Sequence, residues 1–538
     1  MRWCGKITDY LVAGLLIWFV LRCVTGNCID GGRTVLVALG MSAVYFLCRI
    51  VNGFCPKIVQ FAVLGIIAAT SLYESFFGLM QLFGHFRSNH FMYACTGTFQ
   101  NPGPYGGFLA VCASVLGAYA IFGKNVVFKY ICSIVSLTAL VIIPSTMSRA
   151  AVLGVACAAL VMAVSCTAGK SFIKKHKYWL IALALLVGGG AYAVKKPSAD
   201  GRFFITKISS QIMVRHALFG VGQGHFGGAY GQRQYEYFGR AIDLHGSDPF
   251  DWTVLNKAER MTADCPEYPF NEFVLIGVEN GIPAMLLFMS IFVMCICCSF
   301  KEESLWAYGL VSFAVFAFFS YPLHIPLFQI QLALLLAMSV PLDRNSKSDL
   351  CFAAIAFLIC LVSFFCRYPK YRQSLVYEKQ WQETELWYNM EYYDYVVEDA
   401  AELYEQLKFN SRFMFEYGQS LSKTGQYAKS DSVLMTGAAE CCDPMFWNIM
   451  GNNSLAQGNF EHAQECYMHA FRMVPNRLYP LCRMANLYYV KQDFANFEIM
   501  RDIIDKFPAK IESATTERLR SEVAGIADSI RIKYGYGQ

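Results

Sequence analysis

The chain has 538 residues, of which 55% are hydrophobic and only 16% are charged, and its mean hydropathy is +0.36. An ordinary soluble protein has about 25% charged residues. The composition therefore excludes a disordered chain and predicts a membrane protein with a soluble part attached. A net charge of +5 is too small for a nucleic-acid-binding protein of this size, so we expect no nucleic-acid partner.

Apolar runs recur from the N-terminus, and most approach the ~20 residues that a helix needs to cross a bilayer. They predict about eleven membrane spans and an all-α membrane domain over residues 1–370, with a large outer loop at 195–267. We interpret the first run as a retained helix, not a cleaved signal peptide. The predicted spans are 8–25, 34–54, 58–82, 104–123, 126–144, 148–167, 178–194, 268–299, 303–322, 326–342 and 350–367.

Basic residues are distributed unequally between the two sets of short loops, and cytoplasmic loops carry the excess. The poorer set contains Arg22, Arg33, Arg87 and Arg149. We therefore expect a cytoplasmic N-terminus, with the 195–267 loop and everything after residue 368 outside. The richer set contains Arg2, Lys6, Arg49, Lys57, Lys124, Lys129, Lys170, Lys174, Lys175, Lys177, Lys301, Arg344 and Lys347.

From about residue 375 the sequence becomes polar and helical in period. Segment 444–477 has the spacing of a tetratricopeptide repeat, in which small residues let two helices approach and large residues fill the space between them. With similar units before and after it, this segment predicts a soluble α-solenoid of tetratricopeptide repeats over residues 375–538. The matching positions are Trp447, Gly451, Gly458, Phe460, Ala463, Tyr467, Ala470 and Pro475.

The 21 cysteines are scattered, as small buried hydrophobic residues usually are. Cys295 and Cys298 form a C-x-x-C pattern inside a membrane run, where a metal or redox role is much rarer than packing. The repeat region contains Cys441, Cys442, Cys466 and Cys482, and their spacing does not indicate a disulfide framework.

Two polar segments at the outer ends of spans are candidate functional segments, since ionisable residues near spans are costly and tend to be functional. In TGTFQNPGPYGGFLA (96–110), Asn101 and the prolines after it make a rigid turn into a helix. In STMSRAAVLG (145–154), the Arg149 guanidinium is able to hold an anion with several donors. The alternatives are a helix-capping Asn101 and an Arg149 that reaches the lipid phosphates.

Two further segments carry charge next to the membrane. Residues 199–231 contain Arg202, Arg215 and a glycine-rich turn whose backbone amides are suited to phosphate, although no nucleotide-binding strand and helix flank it. In residues 265–288, Glu272 and Glu279 lie seven apart and therefore share a helix face. The alternative is that both carboxylates remain at the wet interface. A site facing outward does not meet soluble nucleotide substrates, so a lipid-borne substrate fits better.

These segments, in this order, resemble the O-antigen ligase and polymerase superfamily over about residues 90–290. The matching pieces are TFQNPGPYGGFLA, SRAAVLG, GRFFITKI with HALFGVGQGHF, and FNEFVLIGVENGIPAMLLF. The resemblance implies a GT-C-like, multi-pass glycosyltransferase of the bacterial inner membrane. Two arginines are able to stabilise the charge on a departing pyrophosphate, so we expect no metal and no cofactor. It implies transfer of a glycan from an undecaprenyl-pyrophosphate carrier to an acceptor hydroxyl of a lipid, glycan or protein on the periplasmic side, where the repeats also lie.

The resemblance also assigns residues. Arg149 matches the arginine of the S-R motif, Arg202 the arginine that opens the outer-loop segment, and Asn271 the asparagine of a His-Asn pair. Phe270 stands where ligases have the histidine that serves as base, so we expect Glu272 to be the base. The predicted catalytic residues are Glu272, Arg202 and Arg149, and the predicted substrate-binding residues are Asn101, Arg215, Asn271, Glu279 and His324. Glu279, His324 and His225 are the other candidates for the base.

Several functions remain compatible with the sequence. Within the enzyme class, the alternatives to a ligase are a polysaccharide polymerase and a protein O-oligosaccharyltransferase whose repeats hold a protein partner. Outside it, the alternatives are a transporter with a peptide-binding tail and a non-catalytic assembly subunit. Polar residues in the middle of several spans would favour transport, whereas here they concentrate at the outer ends.

Overall fold

In the computed structural model, the described residues are 2–25, 31–166, 171, 174–176, 178, 196–302, 304–340 and 347–534. Their regular secondary structure is helical, and the fold is that of a polytopic helical membrane protein. The helices before residue 345 are α1 (Arg2–Val24), α2 (Gly31–Phe54), α3 (Pro56–Leu82), α4 (Pro102–Phe122), α5 (Val126–Ile142), α6 (Arg149–Ser165), α7 (Lys196–Arg215), α8 (Phe226–His245), α9 (Lys257–Thr262), α10 (Glu272–Asn280), α11 (Ile282–Lys301), α12 (Trp306–Phe319) and α13 (Pro326–Ser339).

A second series of helices follows residue 345. They are α14 (Lys347–Asn389), α15 (Tyr393–Leu407), α16 (Ser411–Lys423), α17 (Tyr427–Ala438), α18 (Met445–Ala456), α19 (Phe460–Met473), α20 (Tyr479–Val490), α21 (Phe494–Lys506) and α22 (Ala514–Tyr534). Short 3₁₀ turns occur at Ile143–Thr146, Trp252–Val254 and Pro322–His324.

Seven helices of the described chain are long and apolar enough to cross a membrane, namely α1 to α5, α11 and α14. Three shorter apolar helices, α6, α12 and α13, coincide with further predicted spans. The predicted span 178–194 lies outside the described residues apart from its first position. The number of spans therefore stays a prediction.

The predicted span 268–299 differs in the structure, because it is divided into α10 and α11 at Gly281. Gly281 has φ +90°, which L residues with a side chain rarely adopt, and Pro283 occupies the first turn of α11. The backbone of α10 pairs with an outer segment: Val221 N–H donates to Val278 O at 2.9 Å. Helix α10 is thus a short helix that directly precedes span α11, and both candidate carboxylates lie on it.

Helix α4 lies at the centre of the membrane half and is buried over most of its length. It packs against α5, α6 and α12, and a Cβ at Gly107 would lie 2.2 Å from the Phe316 ring. Elsewhere in the membrane half, a fully buried ion pair joins α1 to α2, with Arg49 Nη2 2.9 Å from Asp9 Oδ2. Removing either partner of such a pair would leave an uncompensated buried charge, which is strongly destabilising.

Helix α14 continues without interruption across the predicted domain boundary at 370–375 and contains Pro369. The helices after it pack as consecutive pairs, α16 with α17, α18 with α19 and α20 with α21. The turns inside these pairs contain Gly425, Gly458 and Gln492, all with positive φ. Such helical hairpins are what a helical-repeat solenoid requires, and their assignment as tetratricopeptide repeats stays a prediction.

The repeats pack directly against the segment formed by α7, α8 and α9, which we call the outer segment after its predicted placement, and the two share one hydrophobic cluster. Gln234 Nε2 on α8 donates to Met473 O at 2.7 Å. Asn476 Nδ2 donates to Arg260 O at 2.8 Å and to Ala263 O at 2.7 Å. The face of α19 and the connection after it are therefore occupied by the protein's own outer segment.

Candidate functional site

The two candidate segments at 96–110 and 145–154 meet at the start of two helices. Asn101 caps α4 by accepting from Gly103 N–H at 2.9 Å. Ser148 caps α6 by accepting from Ala151 N–H at 3.3 Å, and its hydroxyl donates to Gly103 O at 3.3 Å. Asn101 thus makes the helix-capping contact that the sequence analysis gave as an alternative to a functional role. Arg149 is the first residue of α6, beside this junction.

The loop before Asn101 is held by two polar side chains of α3 that the sequence analysis did not single out. Thr98 N–H donates to Glu74 Oε2 at 3.0 Å, and Gly97 N–H donates to Gln81 Oε1 at 2.8 Å. Both side chains are buried. A carboxylate inside an apolar run is itself a signal of function or fixed geometry, and here it fixes the loop that leads to Asn101.

Arg202 lies near Arg149, although the two are distant in sequence. Its Nη1 donates to Phe319 O at 2.9 Å, and its guanidinium lies 4.9 Å from the centre of the Phe270 ring. Burial, followed by the positive charge of Arg149, lowers the pKa of Arg202. Arginine stays cationic in proteins, so two positive charges lie near each other here.

The backbone is in an unusual conformation beside both arginines. Phe270, which lies under the Arg202 guanidinium, has φ 53°, and Met147, two residues before Arg149, has φ 51°. Side chains larger than those of Gly, Asn and Asp seldom adopt this left-handed region. Strained residues of this kind persist where the surrounding structure holds them, and they cluster at active sites and ligand-binding sites.

The two carboxylates of α10 are both buried, with Glu272 2% exposed and Glu279 8% exposed. Glu272 Oε1 accepts from Leu323 N–H at 2.6 Å, and Glu279 Oε1 accepts from Gly224 N–H at 3.0 Å. Burial raises the pKa of each to about 8. Each carboxyl is therefore mostly protonated at pH 7, and its pKa lies in the range where a side chain exchanges protons near neutral pH.

Aromatic side chains lie between the arginines and the carboxylates. The Tyr268 ring stacks on Tyr321 at 5.2 Å and lies 3.9 Å from the His324 ring. Phe270 contacts Tyr321 edge-on at 5.8 Å. Burial lowers the pKa of His324 to about 4, so His324 is neutral at pH 7. Asn271, which lies between Phe270 and Glu272 in the sequence, caps α10 by accepting from Val274 N–H at 3.1 Å.

A cavity of about 940 Å³ opens beside these groups and is amphipathic along its length. Its membrane end is apolar and is formed by α1, α2, α11 and α13, with Leu15, Phe19, Val37, Met41, Ile291 and Leu332 among the lining side chains. Its other end is polar and includes Arg33, Glu267, Glu272, Glu279, His324, Arg412, Glu440 and Asp443. Cavities that bind ligands combine an apolar wall with a few placed polar groups.

The structure divides the predicted site residues into three sets. Glu272, Glu279 and His324 line the cavity. Arg149 and Arg202 lie near each other, and Asn101 and Asn271 cap α4 and α10. Arg215 is on an exposed surface, where its Nη1 lies 2.9 Å from Glu236 Oε2. Among the cavity residues, Arg33 and Arg412 were missed by the sequence analysis.

One further candidate for the base, His225, lies outside these sets. His225 Nδ1 lies 2.8 Å from Glu440 Oε2, so this histidine joins the outer segment to the repeats. Over the described ranges of the chain, no group of three or more His, Cys, Asp and Glu side chains is arranged to hold a metal ion.

A family model described as O-Antigen ligase matches residues 134–289. The matched range begins in α5, ends in α11 and contains Arg149, Arg202, Glu272 and Glu279. Proteins of this family are generally ligases or polymerases of the glycosyltransferase type, so the match supports membership of the O-antigen ligase superfamily and a glycan-transfer role in polysaccharide assembly. No curated protein matches the chain.

Proposed function

We propose that this protein is an O-antigen ligase-like transferase of the bacterial inner membrane. It moves a glycan from an undecaprenyl-pyrophosphate carrier to an acceptor hydroxyl on the periplasmic side. The observation that carries the proposal is the cavity with two buried carboxylates beside a pair of arginines. The two carboxylates and the two arginines lie within the range that the family model matches. The unequal distribution of basic residues between the loops supports the periplasmic placement of this site.

In this proposal, Arg149 and Arg202 bind the pyrophosphate of the donor. A guanidinium presents several donors in a fixed plane that suits phosphate oxygens. As the bond from the anomeric carbon to the pyrophosphate breaks, negative charge accumulates on the departing phosphate oxygen. Two fixed positive charges stabilise that charge without a metal ion, and we accordingly propose a metal-independent reaction with no cofactor.

Glu272 acts as the general base toward the acceptor. The acceptor oxygen forms a bond to the anomeric carbon, the lipid pyrophosphate leaves with the electron pair of the old bond, and Glu272 takes the hydroxyl proton. A base with a pKa close to the working pH combines a useful ionised fraction with a strong proton affinity. Glu279 has a different role, because its carboxylate accepts from the backbone of the glycine-rich turn at Gly224 and thereby positions that turn.

A polymerase or a protein O-oligosaccharyltransferase is the second candidate. Phe270 supports it, because ligases resembling this chain have a histidine at that position. The surface and lipid-linked glycans of a strain lacking the protein distinguish the possibilities. Accumulated full-length lipid-linked polymer indicates a ligase, single repeat units indicate a polymerase, and loss of sugar from proteins indicates a protein transferase. An unchanged glycan profile would contradict the proposed function. Complementation with an Arg202→Ala variant separates an enzyme, which should lose glycan transfer, from a non-catalytic assembly subunit, which should not.

The repeats contribute to the cavity through α16, the connection before α18 and the first turn of α18. Ser411, Arg412, Phe415 and Phe446 line it, and the Arg412 side chain is 64% exposed with its Nε 3.1 Å from Glu416 Oε1. We propose that this end of the cavity contacts the acceptor. Since the outer segment already covers the α19 face, we place the acceptor contact of the repeats here and not on the whole concave surface.

Arg412→Ala is expected to lower the rate of transfer about tenfold, which is the effect of losing one hydrogen bond to a charged group. Arg518→Ala is the matched control, because Arg518 pairs with Glu522 on α22, away from the cavity. Transfer is measured in membranes that contain equal amounts of each variant. A silent Arg412→Ala, together with loss of protein when the chain is truncated near residue 370, would mean that the tail only supports the outer segment.

A further inference from the structure

Three thiols from separate parts of the chain come together at the polar end of the cavity. Cys265 precedes α10 in the outer segment, and Cys441 and Cys442 lie in the connection between α17 and α18. All three line the cavity. Cys442 Sγ donates to the carbonyl oxygen of Pro266, the residue next to Cys265, at 3.7 Å. A hydrogen-bonding interaction with the Cys265 thiol is the largest cause of the raised pKa of Cys442.

The backbones around these thiols are held against each other by other contacts. A Cβ added at Gly231 on α8 would lie 2.9 Å from the Cβ of Cys442, and one at Gly228 would lie 1.9 Å from Ala439 O. The pair of His225 with Glu440 lies in the same interface. Because disulfides require a specific and close approach of the two residues, contacts that fix both segments favour a bond that needs little rearrangement.

We propose that Cys265 and Cys442 form a disulfide bond that ties the repeats to the outer segment at the polar end of the cavity. The bond goes beyond the proposed glycan transfer and shares with it only the extracytoplasmic placement, where disulfides form and persist. Over the described part of the chain these thiols do not belong to a group that is arranged to hold a metal ion, so a cross-link is the chemistry that their contact favours.

The oxidant is a disulfide-bearing oxidoreductase of that compartment. The thiolate of Cys265, the more exposed of the two residues, attacks a sulfur of the oxidant's disulfide, and the oxidant's second sulfur leaves as a thiolate. The thiolate of Cys442 then attacks the Cys265 sulfur, which forms the new bond and breaks the mixed disulfide. Two protons and two electrons pass from the protein to the oxidant, which departs as a dithiol.

This bond would close the chain from residue 265 to residue 442, a loop that includes α10 to α17. In the chain-entropy model a disulfide stabilises more as the loop that it closes becomes longer. The connection that contains Glu440 and Asp443 would then be held beside the outer segment. The disulfide thus gives the repeats a fixed attachment to the segment that carries Glu272.

Peptide mapping of the full-length protein tests the proposal. Cells are quenched with acid, and the protein is then denatured in the presence of N-ethylmaleimide, which alkylates free thiols. Pepsin digests the protein at low pH, where thiol exchange is slow. We expect a Cys265–Cys442 linked peptide that reduction removes, with Cys466 and Cys482 alkylated as internal controls. The link should persist in Cys441→Ser and be absent from Cys265→Ser. Alkylated Cys265 and Cys442 in the wild-type protein, or a link from Cys265 to Cys441, would overturn the assignment.

A second measurement separates this proposal from the proposed topology. Thr515 is exposed on α22, and a Thr515→Cys variant is treated with a membrane-impermeant maleimide in intact spheroplasts. Labelling combined with free Cys265 and Cys442 overturns the disulfide and leaves the topology standing. Protection of Thr515→Cys, combined with the same free thiols, overturns both. Labelling combined with the linked peptide supports both.

Discussion

Arg202→Ala and Arg149→Ala are each expected to lower glycan transfer about 100-fold, the typical effect of removing one preorganised charged donor from a sheltered site. Both side chains belong to the group that we propose for the pyrophosphate, and burial, followed by the charge of Arg149, lowers the pKa of Arg202. The rate is measured with lipid-linked donor in membranes, and immunoblotting establishes equal protein levels. The double variant should lose little more than either single variant, because residues that act as a unit are not additive.

Two further variants make this result interpretable. Arg202→Lys keeps the positive charge but loses the planar fork, so we expect it to retain more activity than Arg202→Ala. Arg531→Ala is the matched control, since Arg531 pairs with Asp528 on α22 and lies outside the proposed site. Unchanged transfer by both Arg149→Ala and Arg202→Ala would rule out the proposed pyrophosphate site.

The helices of the membrane half follow from the sequence because hydrophobic length is a local property. Each apolar run that falls within the described residues contains a helix, and the Pro102 and Asn101 pattern correctly marks the start of α4. The run at 268–299 shows where this reasoning fails. Hydropathy does not reveal that Gly281 takes a positive φ, so a helix of nine residues and a span were read as one span.

The partners of the site residues do not follow from the sequence, because they depend on packing between distant segments. Spacing along one helix places Glu272 and Glu279 on a common face, and both indeed line the cavity. The same reasoning gives no contact between Arg149 and Arg202, or between Cys265 and Cys442, since no periodicity relates them. Glu74 was a missed signal, for a carboxylate within an apolar run always needs a partner.

The repeats show a further difference between what the sequence predicts and what the structure contains. Their internal spacing predicts helical hairpins, and hairpins are present in the structure. A repeat pattern describes contacts within the array and contains no information about what covers its outer surfaces. The stacking of Tyr235 on His469 at 3.9 Å and the ion pair of Arg472 with Asp243 show that the outer segment covers part of it. Experiments on the tail therefore need point substitutions, because deletion would also expose the apolar face of α8.

Glu272→Gln is expected to lower transfer by about two to four orders of magnitude, the range that general-base catalysis contributes. The amide cannot take the acceptor's proton, but its oxygen is still able to accept from Leu323 N–H, so the fold around the site is retained. Glu279→Gln is the matched comparison, because it changes a second buried carboxyl of the same helix whose contacts are to backbone amides. We expect only a few-fold loss for Glu279→Gln.

The pH dependence identifies the base. A base acts when deprotonated, and burial raises the pKa of Glu272 to about 8, so kcat/KM should rise about tenfold per pH unit below that value and level off above it. Burial is the main cause of the raised pKa of Glu272, and the charge of Glu279 is a smaller cause. Glu279→Gln should therefore move the rise to lower pH without abolishing it. Glu272→Gln should remove it. His324, with its pKa lowered to about 4, would instead give a rise near pH 4 that survives in Glu272→Gln, and that outcome would transfer the role of base from Glu272 to His324.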